Sequence, residues 1–195
     1  MTPIPKRIED QLIIALDSLD FCIEVCDFLL ECRSSKIPTK VEMIGTQRKV
    51  VIPGENSGFV TTPVIHAAIL EIRRLLPFLG LGYETKKDRI VHNETRRIDD
   101  YCIEDLKLDC VNPIDFDILA SEVCGTRSSK VLRDPLLYFN KQVAHFSKVE
   151  ILPEFSDLMA SCRLLSEAVF KFVYDRLELP RPRSNFRRGE ANDQG

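Results

Sequence analysis

Asp134-Pro135-Leu136-Leu137-Tyr138-Phe139-Asn140-Lys141-Gln142-Val143-Ala144-His145-Phe146 reads as a short helix with a firm start. Asp134 is placed to cap it, because a carboxylate accepts a bond from an otherwise unpaired first-turn amide. Pro135 follows where no amide hydrogen is needed. Leu136, Phe139, Val143 and Phe146 recur at steps of three, four and three, one apolar stripe at about 100° per residue. Tyr138, Lys141 and His145 are spaced three and four apart and share a face nearly opposite that stripe, with Leu137 and Ala144 on the same far side. Such a helix is expected to be covered twice, once by its own core and once by a partner helix, a second subunit or a ligand.

The flanking sequence repeats the helical period. After Pro5 a long helix is expected to about Ser34, with Ile8, Leu12, Ala15, Leu19, Cys22, Cys26 and Leu29 at alternating steps of four and three. Residues 35–60 break the pattern at Pro38, Gly45, Pro53, Gly54 and Gly58, and are read as a loop or small hairpin insertion. Lys40-Val-Glu-Met-Ile and Arg48-Lys-Val-Val-Ile are its candidate strands. Thr62-Pro63 reads as a cap-plus-proline start for a helix to Leu79, stopped by Gly80 and Gly82. Residues 83–97 read as a polar loop. A short helix with Ile98, Cys102 and Leu106 follows, then one from Asn112-Pro113 to Gly125. Pro153 opens the last long helix, with Phe155, Leu158, Cys162, Leu165, Val169 and Phe172 as its stripe, and Pro180 and Pro182 end it. The expected fold is all-α, a helical bundle of about five helices. Residues 1–179 form a single domain and 180–195 a flexible basic tail.

Composition narrows the class. The chain has 195 residues, 44% hydrophobic, enough for one cored domain. Its 27 basic and 30 acidic residues give a formal charge of −3, so no overall basic excess points to nucleic acid. A local excess does exist: Lys86, Lys87, Arg89, Arg96 and Arg97, joined by Arg73 and Arg74, read as a solvated loop or as a phosphate-binding patch. Seven cysteines, with no Cys-x-x-Cys pair, read as reduced thiols serving as small core hydrophobes, which fits a cytoplasmic setting. The three histidines lie away from cysteine pairs, so no metal site is expected. No segment approaches the roughly 20 apolar residues of a membrane span. No P-loop, Gly-x-Gly-x-x-Gly or nucleophile elbow occurs, and no cofactor is expected.

Asn140-Lys-Gln-Val-Ala-His145-Phe resembles the signature helix of HEPN-domain proteins, in particular their abortive-infection and toxin-like branch. That signature is an Arg, commonly followed by a polar residue such as Asn, with a His several positions on. Asn140 and His145 match; the Arg does not, since Phe139 immediately precedes the Asn. The resemblance implies an all-helical domain and a metal-independent ribonuclease with facing sites in a dimer, in which the 2′-hydroxyl attacks and leaves a cyclic phosphate. On that reading His145 is the acid/base, as histidine titrates near neutrality. Lys141, one turn from it, replaces the missing cation as a point charge without a bidentate fork. Tyr138 donates through its hydroxyl. Asn140 orients substrate, although it lies about 140° round the helix from His145 and so needs a distorted helix or a second copy. Arg133 precedes the helix and reaches the site only by folding back.

Three functions follow from these residues. The first is an RNA-cleaving toxin or phage-defence protein, with a cognate antitoxin or other partner protein. The second is a non-catalytic HEPN-like module that binds RNA, nucleotide or a protein. The third is a helical adaptor with no ligand site, in which His145 serves only the helix end.

The first helix carries a stripe too broad for one neighbour, and the far side of the central helix is too apolar for solvent. Burying such area contributes about 25 cal/mol per Å², and leaving it open favours aggregation. A symmetric homodimer through one of these helices is therefore expected. Sedimentation equilibrium should return about twice the 22.3 kDa chain mass; a concentration-independent monomer at micromolar protein removes the expectation.

Overall fold

The stripe read from Ile8 to Leu29 is the inner face of a 30-residue helix, α1 (Lys6–Ser35), with Leu19, Cys22 and Cys26 fully enclosed. The computed structural model describes residues 4–35, 41–44, 49–52, 58–93, 101–138 and 153–183. After α1 come a hairpin of β1 (Val41–Ile44) and β2 (Lys49–Ile52), then α2 (Gly58–Phe78). A second hairpin follows, β3 (Leu81–Glu84) and β4 (Arg89–His92), then a 3-10 turn at Ile103–Leu106. The chain continues through α3 (Pro113–Cys124), α4 (Ser128–Tyr138) and α5 (Phe155–Val169), which runs on as a π-helical turn, Phe170–Tyr174. The protein is an all-α helical bundle with a hairpin insertion, as the periodicity predicts.

Helix α5 is the hub. It packs on α1, α2, α3 and α4, and Leu158, Cys162, Leu164, Leu165, Ala168 and Val169 are all sealed from solvent. The first hairpin pairs Val41 with Ile52 and Ile44 with Lys49, within the insertion expected at 35–60. Helix α3 starts and stops where the sequence predicts. The Asn112 side chain accepts from the Ile114 amide at 2.9 Å, Pro113 takes the first turn, and Gly125 closes the helix at φ +68°. All seven cysteines are free thiols, and Cys22, Cys26, Cys32, Cys102 and Cys162 are buried. Hydrogen bonds with neighbouring thiols, Cys162 for Cys22 and Cys22 for Cys26, together with burial push both far up from the usual thiol range, so both stay protonated. No helix among the described residues is long and apolar enough to cross a membrane.

Several expectations need correction. Asp134-Pro135 does not start a helix. Pro135 lies inside α4, which begins at Ser128, and Asp134 is exposed. Ser128 is held by Asp117 of α3, whose Oδ1 accepts from its amide at 3.0 Å and from its hydroxyl. A proline at that depth leaves the carbonyl four residues back without its amide. That carbonyl belongs to Val131, and the buried hydroxyl of Ser161 on α5 lies 2.8 Å from it, sharing its proton with the Asp157 carbonyl, also at 2.8 Å. Thr62-Pro63 is likewise not a start: α2 begins at Gly58 with Pro63 inside it.

The polar stretch after α2 is not a loop throughout, since residues 81–92 form the second hairpin. Gly80 stops α2, but Gly82 is a strand residue. Gly80 sits at φ +78°, and a Cβ there would meet Cys110 Sγ at 2.5 Å, so space and backbone both demand glycine. The short helix expected through Ile98, Cys102 and Leu106 is only the 3-10 turn, with Ile98 outside the described residues. The last helix is turned by Glu178 at φ +55°, ahead of Pro180. Arg181, assigned to the tail, is held by Asp175 at 2.8 Å and lies over the Phe170 ring; residues 184–195 lie outside the described residues.

Replacing Ser161 by Ala strands the Val131 carbonyl and should cost about 1–3 kcal/mol in urea unfolding. Adding Pro135→Ala restores an amide donor to that carbonyl and should recover most of the loss. A double variant no more stable than Ser161→Ala would show that the carbonyl does not need the hydroxyl.

Candidate functional site

Tyr138 closes α4 and is the one residue of the sequence-predicted catalytic set that the structure describes. Asn140, Lys141 and His145 lie outside the described residues, as do Phe139, Val143, Ala144 and Phe146. Tyr138 was expected on the half-covered far face of its helix, but it is buried, at 6% exposure, alongside Leu132 and Leu136 of the core. The proline inside α4 explains part of this difference. The helix is anchored through Ser128 and the Val131 carbonyl, so its rotation is set by contacts made before Asp134.

The Tyr138 hydroxyl is 3.0 Å from Nε2 of His66 on α2, and the two rings meet at a centroid distance of 5.9 Å. Burial raises the Tyr138 hydroxyl above its ordinary range, so it remains a neutral phenol that can donate or accept. His66 is half-buried. The sequence reading did not select His66. Its helical position was legible, but the partner that gives it meaning is distant in sequence.

The basic residues divide into separate groups. Arg74 is exposed but engaged: it donates to buried Glu71 at 3.0 and 3.3 Å and to Gln11 of α1 at 2.6 Å. It neutralises a carboxylate that would be costly to bury alone. Arg73 is exposed on the same helix. Lys86, Lys87 and Arg89 sit on the second hairpin. Glu84 pairs with Lys87 at 3.0 Å and with Arg89 at 2.8 Å, and these two bonds, that from Lys87 first, hold its carboxyl below the usual range. Lys86 is exposed. Arg96 and Arg97 lie outside the described residues.

The hairpin also brings in Arg133. Asp88, at φ +48° in the hairpin turn, accepts from the Tyr83 hydroxyl at 2.5 Å and faces Arg133 of α4 at 3.8 Å. Burial and the Asp88 bond push the Tyr83 hydroxyl up to about 12. β4 packs on α4, and the Asp88–Arg133 pair brings the hairpin turn that carries Lys86 and Lys87 beside that helix. Glu84, Asp88 and Asp134 stand among them, so the net charge is small.

An open surface pocket of about 350 Å³ is lined by Asp115, Ile118, Lys171, Phe172 and Arg176. None of the sequence-predicted site residues lines it. Among the described residues, no three His, Cys, Asp or Glu side chains are arranged to hold a metal ion. No family model, curated protein or solved structure matches this chain.

Removing the Tyr138 hydroxyl as Tyr138→Phe should cost about 1 kcal/mol of unfolding free energy, since it breaks a part-buried bond but keeps the ring. Arg133→Ala, which removes one side of a half-exposed ion pair, should change stability by less than about 0.5 kcal/mol. Equal effects in denaturant titrations would show that the His66 bond does not hold the end of α4.

Proposed function

We propose that the chain is a HEPN-like protein acting on RNA, a metal-independent ribonuclease of a toxin or phage-defence system that works as a homodimer. The observation that supports this reading is the hairpin of β3 and β4, which carries the exposed cations Lys86, Lys87 and Arg89 and packs against α4 with Asp88 facing Arg133. In sequence, α4 leads directly into Asn140, Lys141 and His145. A strand of RNA following the hairpin meets Lys86, Lys87 and Arg89 through its phosphates and is led towards the signature segment. His145 then moves the proton and Lys141 faces the charge growing on the phosphate oxygens. Asn140 orients the strand. The hairpin ion pairs are exposed, so phosphate can displace Glu84 from Lys87 and Arg89 at little cost.

Purified protein incubated with transfer RNA in EDTA is expected to give fragments ending in 2′,3′-cyclic phosphate. His145→Ala should reduce cleavage by about 10²-fold or more. Equal background cleavage by both proteins would sink the reading. Lys86→Glu with Lys87→Glu should weaken RNA binding and flatten its dependence on salt.

Phe139, standing where the HEPN signature places its Arg, favours a second reading: a non-catalytic module that binds RNA, nucleotide or a partner protein. RNA binding that depends on Lys86 and Lys87, together with no cleavage by the wild type, would select it.

A further inference from the structure

The open pocket beside α3 lies in a groove whose two walls carry opposite charge. One wall is α3, which brings Asp115, Ile118 and Glu122 to one side at steps of three and four. The other is the π-helical turn Phe170–Tyr174 with the residue two beyond it, which brings Lys171 and Arg176. Lys171 donates to Glu122 at 3.1 Å, and Arg176 donates at 3.3 Å to the carbonyl of Asp109, just before α3. The walls therefore run in opposite directions along the groove. Glu122 and Lys171 stand at one height, and Asp115 and Arg176 share the pocket towards the other end.

The same surface leaves apolar area open. Ile114 is 68% exposed, and Ile118, one turn on, is 49% exposed. Phe172 lines the pocket beside them, with the Arg176 guanidinium 5.1 Å from its ring centroid. Isoleucines exposed at successive turns and rimmed by charge have the make-up of a contact surface, apolar at the centre and polar at the edge.

We propose that this groove is where two copies of the chain pair, about a twofold axis that runs along it. The sequence suggests a pairing through α1 or the central helix, and this surface uses neither. Rotation about such an axis keeps each residue at its height and exchanges the walls, so one patch meets itself. Glu122 then faces Lys171 of the partner subunit, and Asp115 faces Arg176 of the partner subunit. Ile114 and Ile118 are withdrawn from water between them. Within one chain the side chains of Lys171 and Glu122 are 43% and 58% exposed, so exchanging their bond for one between chains costs little. A patch with opposite charges on its two sides is its own complement. A nucleic acid or an acidic partner is repelled at α3, and a basic partner is repelled at Lys171 and Arg176. The contact is small and its rim is charged, so the pairing is weak and loosens with salt. None of this depends on the RNA reading.

Sedimentation equilibrium over a micromolar concentration series tests the pairing. The proteins are the full chain as wild type, Glu122→Lys, Lys171→Glu, and Ile114→Ser combined with Ile118→Ser. Circular dichroism and thermal unfolding report folding, which surface substitutions should leave intact. The wild-type mass should rise with concentration towards twice 22.3 kDa. Either charge reversal sets like charges against each other across the axis and should raise the dissociation constant about tenfold or more. The isoleucine variant should weaken pairing as well. An equimolar mixture of Glu122→Lys and Lys171→Glu should pair again, because every contact across the axis then joins opposite charges. Mixing does not cure a folding defect, so that recovery separates contact from fold. A wild type that stays a monomer at every concentration overturns the proposal and leaves the groove to another occupant. A dimer that none of the variants weakens forms elsewhere on the chain and also overturns it, as does a mixture no tighter than its two components.

Discussion

Helix α5 gives water only a narrow strip, at Ser156, Asp157 and Arg163, and the rest of the bundle follows from that. Its apolar residues run round the rest of the helix, so one packing partner could not cover them. Four helices close around it, and Leu158, Cys162, Leu164, Leu165, Ala168 and Val169 are left with no exposure. The extension past Val169 continues the same demand, since Phe170, Phe172, Val173 and Tyr174 are buried on a π-helical turn. The wider turn re-aims these side chains while the backbone stays hydrogen-bonded, as in the 2.9 Å bond from the Asp175 amide to the Phe170 carbonyl.

Close packing around α5 also explains how the bundle carries irregular backbone inside helices. Pro135 should break α4, yet the freed carbonyl of Val131 meets Ser161 of the hub. Ser128 is sealed in the interior, and its amide and hydroxyl are met by Asp117 of α3. Each compensation comes from another helix. The polar groups therefore add to the apolar contacts that tie α3, α4 and α5 together, because a buried group without its partner loses about 1–3 kcal/mol.

The candidate site inherits its geometry from these ties. With α4 fixed at Ser128 and Val131, Tyr138 turns inward and meets His66 rather than the surface. The second hairpin is fixed at the other flank. The Asn93 amide bonds the Gly80 carbonyl at 2.9 Å, which holds the hairpin base to the end of α2, and the Val111 amide bonds the Leu79 carbonyl at 2.9 Å, which ties the segment before α3 to the same end. Asp88 at its turn then faces Arg133. Helix α4 thus has an imidazole at its end and a charged hairpin on its flank, both delivered by the segment from α2 to β4.

The sequence by itself determined most of the helices, both ends of α3 and the enclosed faces of α1 and α5. Those features depend on a period of 3.6 and on caps such as Asn112 and Gly125, all decided within a turn or two of chain. It also located the first hairpin, through the β-branched run that ends at Ile52. The roles of Pro63 and Pro135 were beyond it, because a proline in a first turn and one in a helix interior look alike until the distant compensating group is known. The second hairpin was hidden for a related reason: its strands are four residues each, polar at the tip, and stable only against α2 and α4. Only the tertiary structure decided that Tyr138 is a core residue and that His66 is its partner. Local pattern fixes which side of a helix is apolar, but packing against the other helices fixes which way that helix is turned and what each polar group meets.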